Sequence, residues 1–297
     1  MKKALLAAGY ILVLLLAYVA LQGLFTFIAM FVAILWAVFK GQMSADVLEH
    51  LDNLDSALSL SANNAYIQAM AVGLFLSTIS MLVFLHLIKG YRIKPEIFRS
   101  ISSNSLFLST MLVFSSMLAL NIFVQWFQLE DMLATEFEGL TRNPLGIITI
   151  SFLAPLLEEV LFRGAMQGYL MRRYKPWVAI LAAALVFGVF HWNPVQVLYA
   201  TLLGAVFGWI YYRTGSLLSV IVGHVLNNSL ATAMMLAFGN EEIRPLPEGM
   251  MSPIAETASE VVTFLFFAFL SLYFAVRLHR ALPPVSLPWQ DKGGDIK

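Results

Sequence analysis

Cysteine is absent from this chain and charge is scarce. The lack of cysteine excludes disulfides, a cysteine nucleophile and thiolate metal sites, and says nothing about redox compartment. Only 12% of its 297 residues are charged, against about 25% in a soluble domain. Formal net charge is +0, so no basic field favours a nucleic-acid partner. What replaces charge is a 60% hydrophobic composition with mean hydropathy +0.79. That is the composition of an integral membrane protein, whose standing partner is the lipid bilayer.

Apolar runs fall at about 4–39, 64–88, 105–127, 145–171, 176–192, 194–212, 216–238 and 257–277. A spanning helix needs ~20 apolar residues. The expected fold class is therefore all-α, a polytopic transmembrane helical bundle of about eight spans. Lys and Arg mark alternate connections: Lys2 and Lys3, then Lys89 to Arg99, then Arg172 to Lys175, then Arg213, then Arg277 and Arg280. Acidic or neutral connections lie between them. By the positive-inside rule both termini are cytoplasmic.

Met1-Lys2-Lys3 and the run behind it resemble a signal peptide. The run stays uncharged to Phe39, far beyond an apolar signal region of roughly 7–15 residues, so it reads as an uncleaved first span. One crossing keeps the alternation, and two would spoil it. The loop at 45–62 has room for a short amphipathic helix. Four regions result: N-terminal helices and loops at 1–144, a core at 145–238, a loop and last span at 239–281, and a disordered tail at 282–297.

One predicted span carries carboxylates near its middle, reading Pro155-Leu-Leu-Glu158-Glu159-Val-Leu-Phe-Arg163. An ionised group at the bilayer centre costs at least ~2.5 kcal/mol, which makes idle acids there improbable. Glu159 and Arg163 are four apart and share a helix face, so they can pair. Glu158 would then be the free acid. Pro155 removes a backbone donor, which frees a carbonyl and kinks the helix beside the acids. Counting from the basic connections, Glu158, His191, His224 and Asn228 lie at overlapping depth on three helices. A carboxylate with an imidazole is a water-activating pair. Apolar surroundings and a neighbouring cation together poise such a base near neutral pH. His224 and Asn228, also four apart, offer N–H donors where an oxyanion would form. The reaction class is water attack on an amide carbonyl.

These residues resemble a known family. Glu158-Glu159-x-x-x-Arg163, Phe187-x-x-x-His191 and His224-x-x-x-Asn228 are similar to the three motifs of the CAAX-protease and bacteriocin-processing intramembrane proteases. The resemblance implies a glutamate-dependent endopeptidase cutting a membrane-associated substrate, CAAX-like or leader-type, in the bacterial inner (cell) membrane. It implies Glu158 as base with His191 as partner, His224 and Asn228 polarising the scissile carbonyl, and Glu159 and Arg163 holding the site. No cofactor is expected. Zinc on Glu158, His191 and His224 is the variant of the same protease, although the H-E-x-x-H motif is lacking.

Blander readings apply to several neighbours. Asn193 reads as the N-cap of the sixth span ahead of Pro194, without a catalytic role. Asn227 reads as packing and Phe187 as a pocket wall. Gly164-x-x-x-Gly168 and Gly204-x-x-x-Gly208 suggest close helix contact. The rival functions are a transporter, which lacks support from repeated halves or paired broken helices, and a non-catalytic scaffold. No predicted span holds an Asp, which disfavours an aspartyl dyad, and there is no serine nucleophile elbow.

Overall fold

The computed structural model describes residues 2–40, 64–87, 95–239 and 252–283. Among them the chain is helical, with no strand. The helices are α1 (Lys2–Phe39), α2 (Asn64–Leu87), α3 (Ser103–Gln125), the short α4 (Ala134–Thr141), α5 (Pro144–Met171), α6 (Pro176–Val189), α7 (Pro194–Thr214), α8 (Leu217–Phe238) and α9 (Pro253–Ala281). The loop at 45–62 and all but the first two residues of the tail lie outside the described residues.

Seven of these helices are long and apolar enough to cross a membrane. The eighth apolar helix, α6, has 14 residues, or ~21 Å, against ~30 Å of hydrocarbon. It still joins the Arg172–Lys175 turn to the Trp192 turn at the other end of the bundle. α1 is one uninterrupted helix of 38 residues running straight through Gln22-Gly23. At ~57 Å it exceeds the bilayer and must tilt or protrude.

Helix boundaries follow local chemistry. Ser102 and Ser216 accept hydrogen bonds from Ser105 N and Leu218 N, capping α3 and α8. Pro176, Pro194 and Pro253 open α6, α7 and α9, where a missing N–H costs nothing. Gly215, at φ +64°, ends α7 in the left-handed conformation and returns its N–H to Tyr211 O.

Side-chain contacts tie the loops into two ends. At one, Arg99 Nη2 donates to Thr214 O at 2.8 Å, Ser216 Oγ donates to Arg99 O at 2.6 Å, and Arg213 Nη2 donates to His279 O at 2.9 Å. Tyr10 of α1 stacks on Tyr169, 3.9 Å between ring centroids, within electrostatic reach of Arg172. At the other end, Trp126 Nε1 donates to Glu260 Oε2 at 3.1 Å and Asn193 Nδ2 to Asp131 Oδ1 at 2.8 Å. The N-terminal part of α1 and the C-terminal part of α9 thus share the basic end.

The core centres on α5. Its Leu157, Leu161, Phe162 and Met166 are buried against Phe187 of α6, Leu203 and Phe207 of α7 and Val220 of α8. The outward faces are apolar as well, for example Phe27, Phe31, Leu265, Phe269 and Leu272. With lipid as solvent, that surface needs no covering.

α5 is not a regular α-helix. Thr149–Leu153 and Glu159–Gln167 are π-helical, with α-helical turns at Pro144–Ile148, Ala154–Glu158 and Gly168–Met171. In π-helix each N–H reaches back five residues. Ala154 N–H accordingly bonds Thr149 O. The next donor in that register belongs to Pro155, which has none. Ile150 O is therefore left for a tertiary donor, and Asn228 Nδ2 supplies it at 2.9 Å.

Candidate active site

The site begins with a fully buried ion pair. Arg163 Nη1 donates to Glu159 Oε1 at 2.8 Å, and both side chains are essentially inaccessible. Arg163 Nη2 donates to Gly204 O of α7 at 3.1 Å. The guanidinium carbon lies 4.3 Å from the Phe187 ring centroid and 5.2 Å from that of Phe207. A planar, always-charged group with forked donors suits this slot, and a lysine ammonium does not. Gly204 makes the approach possible. A Cβ there would stand 3.0 Å from both Arg163 Nη2 and Phe187 Cδ1. One turn on, Gln167 Nε2 donates to Gly208 O at 2.8 Å. The two glycines thus hold α7 against α5, as their spacing suggested. The cause is two side-chain bonds to backbone carbonyls rather than glycine packing alone.

His224 of α8 stands over both acids. Its Nδ1 donates to Glu159 Oε1 at 2.7 Å, and its Nε2 lies 3.6 Å from Glu158 Oε2. Glu159 Oε1 therefore accepts from Arg163 and His224 together, while its buried Oε2 has no hydrogen-bond partner. Glu158 differs: its side chain is 17% accessible, against 0% for Glu159. It is the carboxylate of the pair that water can reach.

Glu159 and Arg163 form one opposite-charge pair, and His224 Nε2, the ring nitrogen not on Glu159, faces Glu158 Oε2.

His191 lies in the turn two residues past the end of α6. Its ring and that of Phe187 meet edge to face with centroids 4.8 Å apart, and the Phe187 and His224 centroids are 5.9 Å apart. His191 Nδ1 lies 2.8 Å from Phe187 O. A carbonyl only accepts, so Nδ1 carries a hydrogen, and in the neutral ring Nε2 is the acceptor. Among the described residues the imidazole beside Glu158 is His224, whereas the motifs alone suggested His191. Asn228, one turn beyond His224, is held by Ile150 O.

Other contributors were not read as site residues in the sequence. The sixth span, α7, enters through the carbonyl of Gly204 and through Phe207, whose ring centroid is 4.9 Å from that of His224. Tyr18 of α1 is buried, stacks on Phe190 at 5.1 Å and lies within electrostatic reach of Glu158. Asn193, expected to cap α7, makes no side-chain cap there. Its Oδ1 instead accepts from Met132 N at 3.2 Å while its Nδ2 holds Asp131, clasping the loop after α3 to the His191 turn. Asn227 is also more than packing: its Nδ2 donates to Asn228 Oδ1 at 3.0 Å.

Among the described residues no three His, Asp or Glu side chains converge as a metal-binding group. His224 Nδ1 lies on Glu159 Oε1 and His191 Nδ1 on Phe187 O, which leaves Nε2 as the uncommitted ring nitrogen of each.

Fold and site together define a polytopic helical membrane protein with a buried Glu-Arg-His cluster facing one accessible glutamate. Residues 141–230 match the family model described as Type II CAAX prenyl endopeptidase Rce1-like. The three motifs lie inside this segment, and the resemblance read from them is borne out. The protein named "Putative membrane peptidase YdiL" of Bacillus subtilis (strain 168) is 32% identical over 93 residues, 31% of this chain and 38% of that protein. The match thus spans well under half the length of the relative. No solved structure matches the chain.

Proposed function

We propose that the protein is an intramembrane endopeptidase of the bacterial inner membrane that hydrolyses a peptide bond of a membrane-associated substrate, CAAX-like or leader-type, with water activated by Glu158. The carrying observation is the inequality of the two acids: Glu159 is sealed between Arg163 and His224, and Glu158 alone is open to water. The family match over residues 141–230 supports the class of reaction.

In this reading Glu158 takes a proton from water while the water oxygen attacks the carbonyl carbon. The Nε2 lone pair of His191 helps to hold that water. The developing oxyanion meets an N–H at His224 Nε2 and an N–H of Asn228. The C–N bond then breaks, and the proton on Glu158 passes to the leaving amine. Glu159, Arg163 and Phe187 keep His224 in place. No resident metal enters the scheme.

The test is Glu158→Gln, which removes the base and keeps size and hydrogen-bonding shape. Loss of a general base lowers rate by about a hundred- to ten-thousand-fold. Membrane proteomes of cells making wild type or the variant should differ by new substrate C-termini present only with wild type. Identical peptide sets, at equal abundance of two folded proteins, would replace proteolysis with a scaffold or transport role.

A further inference from the structure

Asn228 sits at the end of a hydrogen-bond chain that begins on α7. Tyr199 Oη donates to Asn227 Oδ1 at 2.7 Å, Asn227 Nδ2 donates to Asn228 Oδ1 at 3.0 Å, and Asn228 Nδ2 donates to Ile150 O at 2.9 Å. The direction of the chain is fixed from its far end. Ile150 O can only accept, so the amide nitrogen of Asn228 must face it and the amide oxygen must face away. That oxygen then needs a donor, which is Asn227 Nδ2. The oxygen of Asn227 needs one in turn, and the Tyr199 hydroxyl provides it. An amide flip at either asparagine would set two acceptors against each other.

The anchor exists because of the sequence of α5. The π-helical turn at Thr149–Leu153 aims Ile150 O at the place of an N–H that Pro155 lacks. The chain thus links a proline on α5, two asparagines on α8 and a tyrosine on α7. An amide nitrogen carries two hydrogens. Ile150 takes one from Asn228, and the other is bonded to no group among the described residues.

We propose that Tyr199 and Asn227 are positioning residues that lock Asn228 with an N–H, and never its oxygen, towards the scissile carbonyl. This rests on the reading of Asn228 as an oxyanion donor. Neither residue touches the substrate. Their effect falls on a bond that strengthens only as the oxyanion forms, so it appears in kcat and not in KM.

The experiment is a kinetic double-mutant cycle on the full-length protein in detergent, with a cleavable substrate peptide found by the proteome comparison. Tyr199→Phe keeps the ring and removes the donor. It should lower kcat about 3- to 10-fold, the range that one neutral hydrogen bond supports. KM should stay as in wild type, and the melting temperature should fall only by what one part-buried hydrogen bond contributes. In an Asn228→Ala background the same Tyr199→Phe change should have no further effect. Where Asn228→Ala leaves no measurable turnover, Asn227→Ala serves as the background, with the same expectation. A wild-type kcat for Tyr199→Phe, or equal fold losses in both backgrounds, would overturn the proposal. Glu158→Gln separates the two levels. An inactive Glu158→Gln beside a wild-type Tyr199→Phe removes only the relay, whereas an active Glu158→Gln removes the reading of the site itself.

Discussion

Arg163 shows what one side chain is asked to do in a membrane interior. It neutralises Glu159, bonds the backbone of a second helix and fills the gap between two aromatic rings. Arg163→Ala leaves Glu159 buried with only the His224 hydrogen bond, and breaking a buried pair from one side costs about 3–5 kcal/mol. A clear drop in melting temperature in detergent is expected, and an unchanged melt would remove the pairing from the account. The pair was legible in the sequence because both partners lie on one helix, four residues apart. The Glu159–His224 bond was not: which of two adjacent acids an imidazole reaches depends on how α5 is rotated, and its π-helical turns set that rotation. The same limit hid Tyr199. A tyrosine five residues into an apolar helix looks like any other until its hydroxyl is seen on Asn227.

The working unit at the next scale is the α5–α7 pair. Arg163 and Gln167 on one helix reach the carbonyls of Gly204 and Gly208 on the other, so two rungs one turn apart fix both separation and register. Gly204→Ala tests this directly. The added Cβ would crowd Arg163 Nη2 and Phe187 Cδ1 at 3.0 Å, and overpacking of this kind costs about 1–3 kcal/mol. Melting temperature and turnover should fall together, because the displaced guanidinium also holds Glu159. Wild-type values of both would show that α7 is not held this way. Helix positions were readable from apolar runs and charged connections. The expected span at 194–212 became α7 at Pro194–Thr214, and the expected 145–171 became α5 at Pro144–Met171. The role of α7 in the site was not readable, since its bonds to α5 run through backbone carbonyls at glycine and its Tyr199 hydroxyl reaches only Asn227. Of the irregularity in α5, Pro155 signalled a freed carbonyl but could not say that the acceptor would be Ile150, which depends on the five-residue reach of the π-helical turn.

For the whole molecule, the contacts at the two ends decide how often the chain crosses. Tyr10 near the start of α1 stacks on Tyr169, within electrostatic reach of Arg172, and His279 near the end of α9 accepts from Arg213. Both ends of the described chain therefore lie at the end where Arg99, Arg172 and Arg213 gather. That arrangement requires an even number of passages, so α6 counts as one despite its 14 residues. Its shortness also has a consequence for depth. A ~21 Å helix starting at the Lys175 turn stops short of the ~30 Å hydrocarbon thickness, so the turn carrying His191 depends on the loop after α3 folding in to meet it through Asp131 and Asn193. Lys and Arg mark the cytoplasmic face. Fluorescent-protein and alkaline-phosphatase fusions at residues 1 and 297 should thus report cytoplasm at both termini, with the fluorescent fusions bright and the phosphatase fusions inactive. An active phosphatase at one terminus alone would make the number of crossings odd and would take α6, or α1 as a single span, out of the topology.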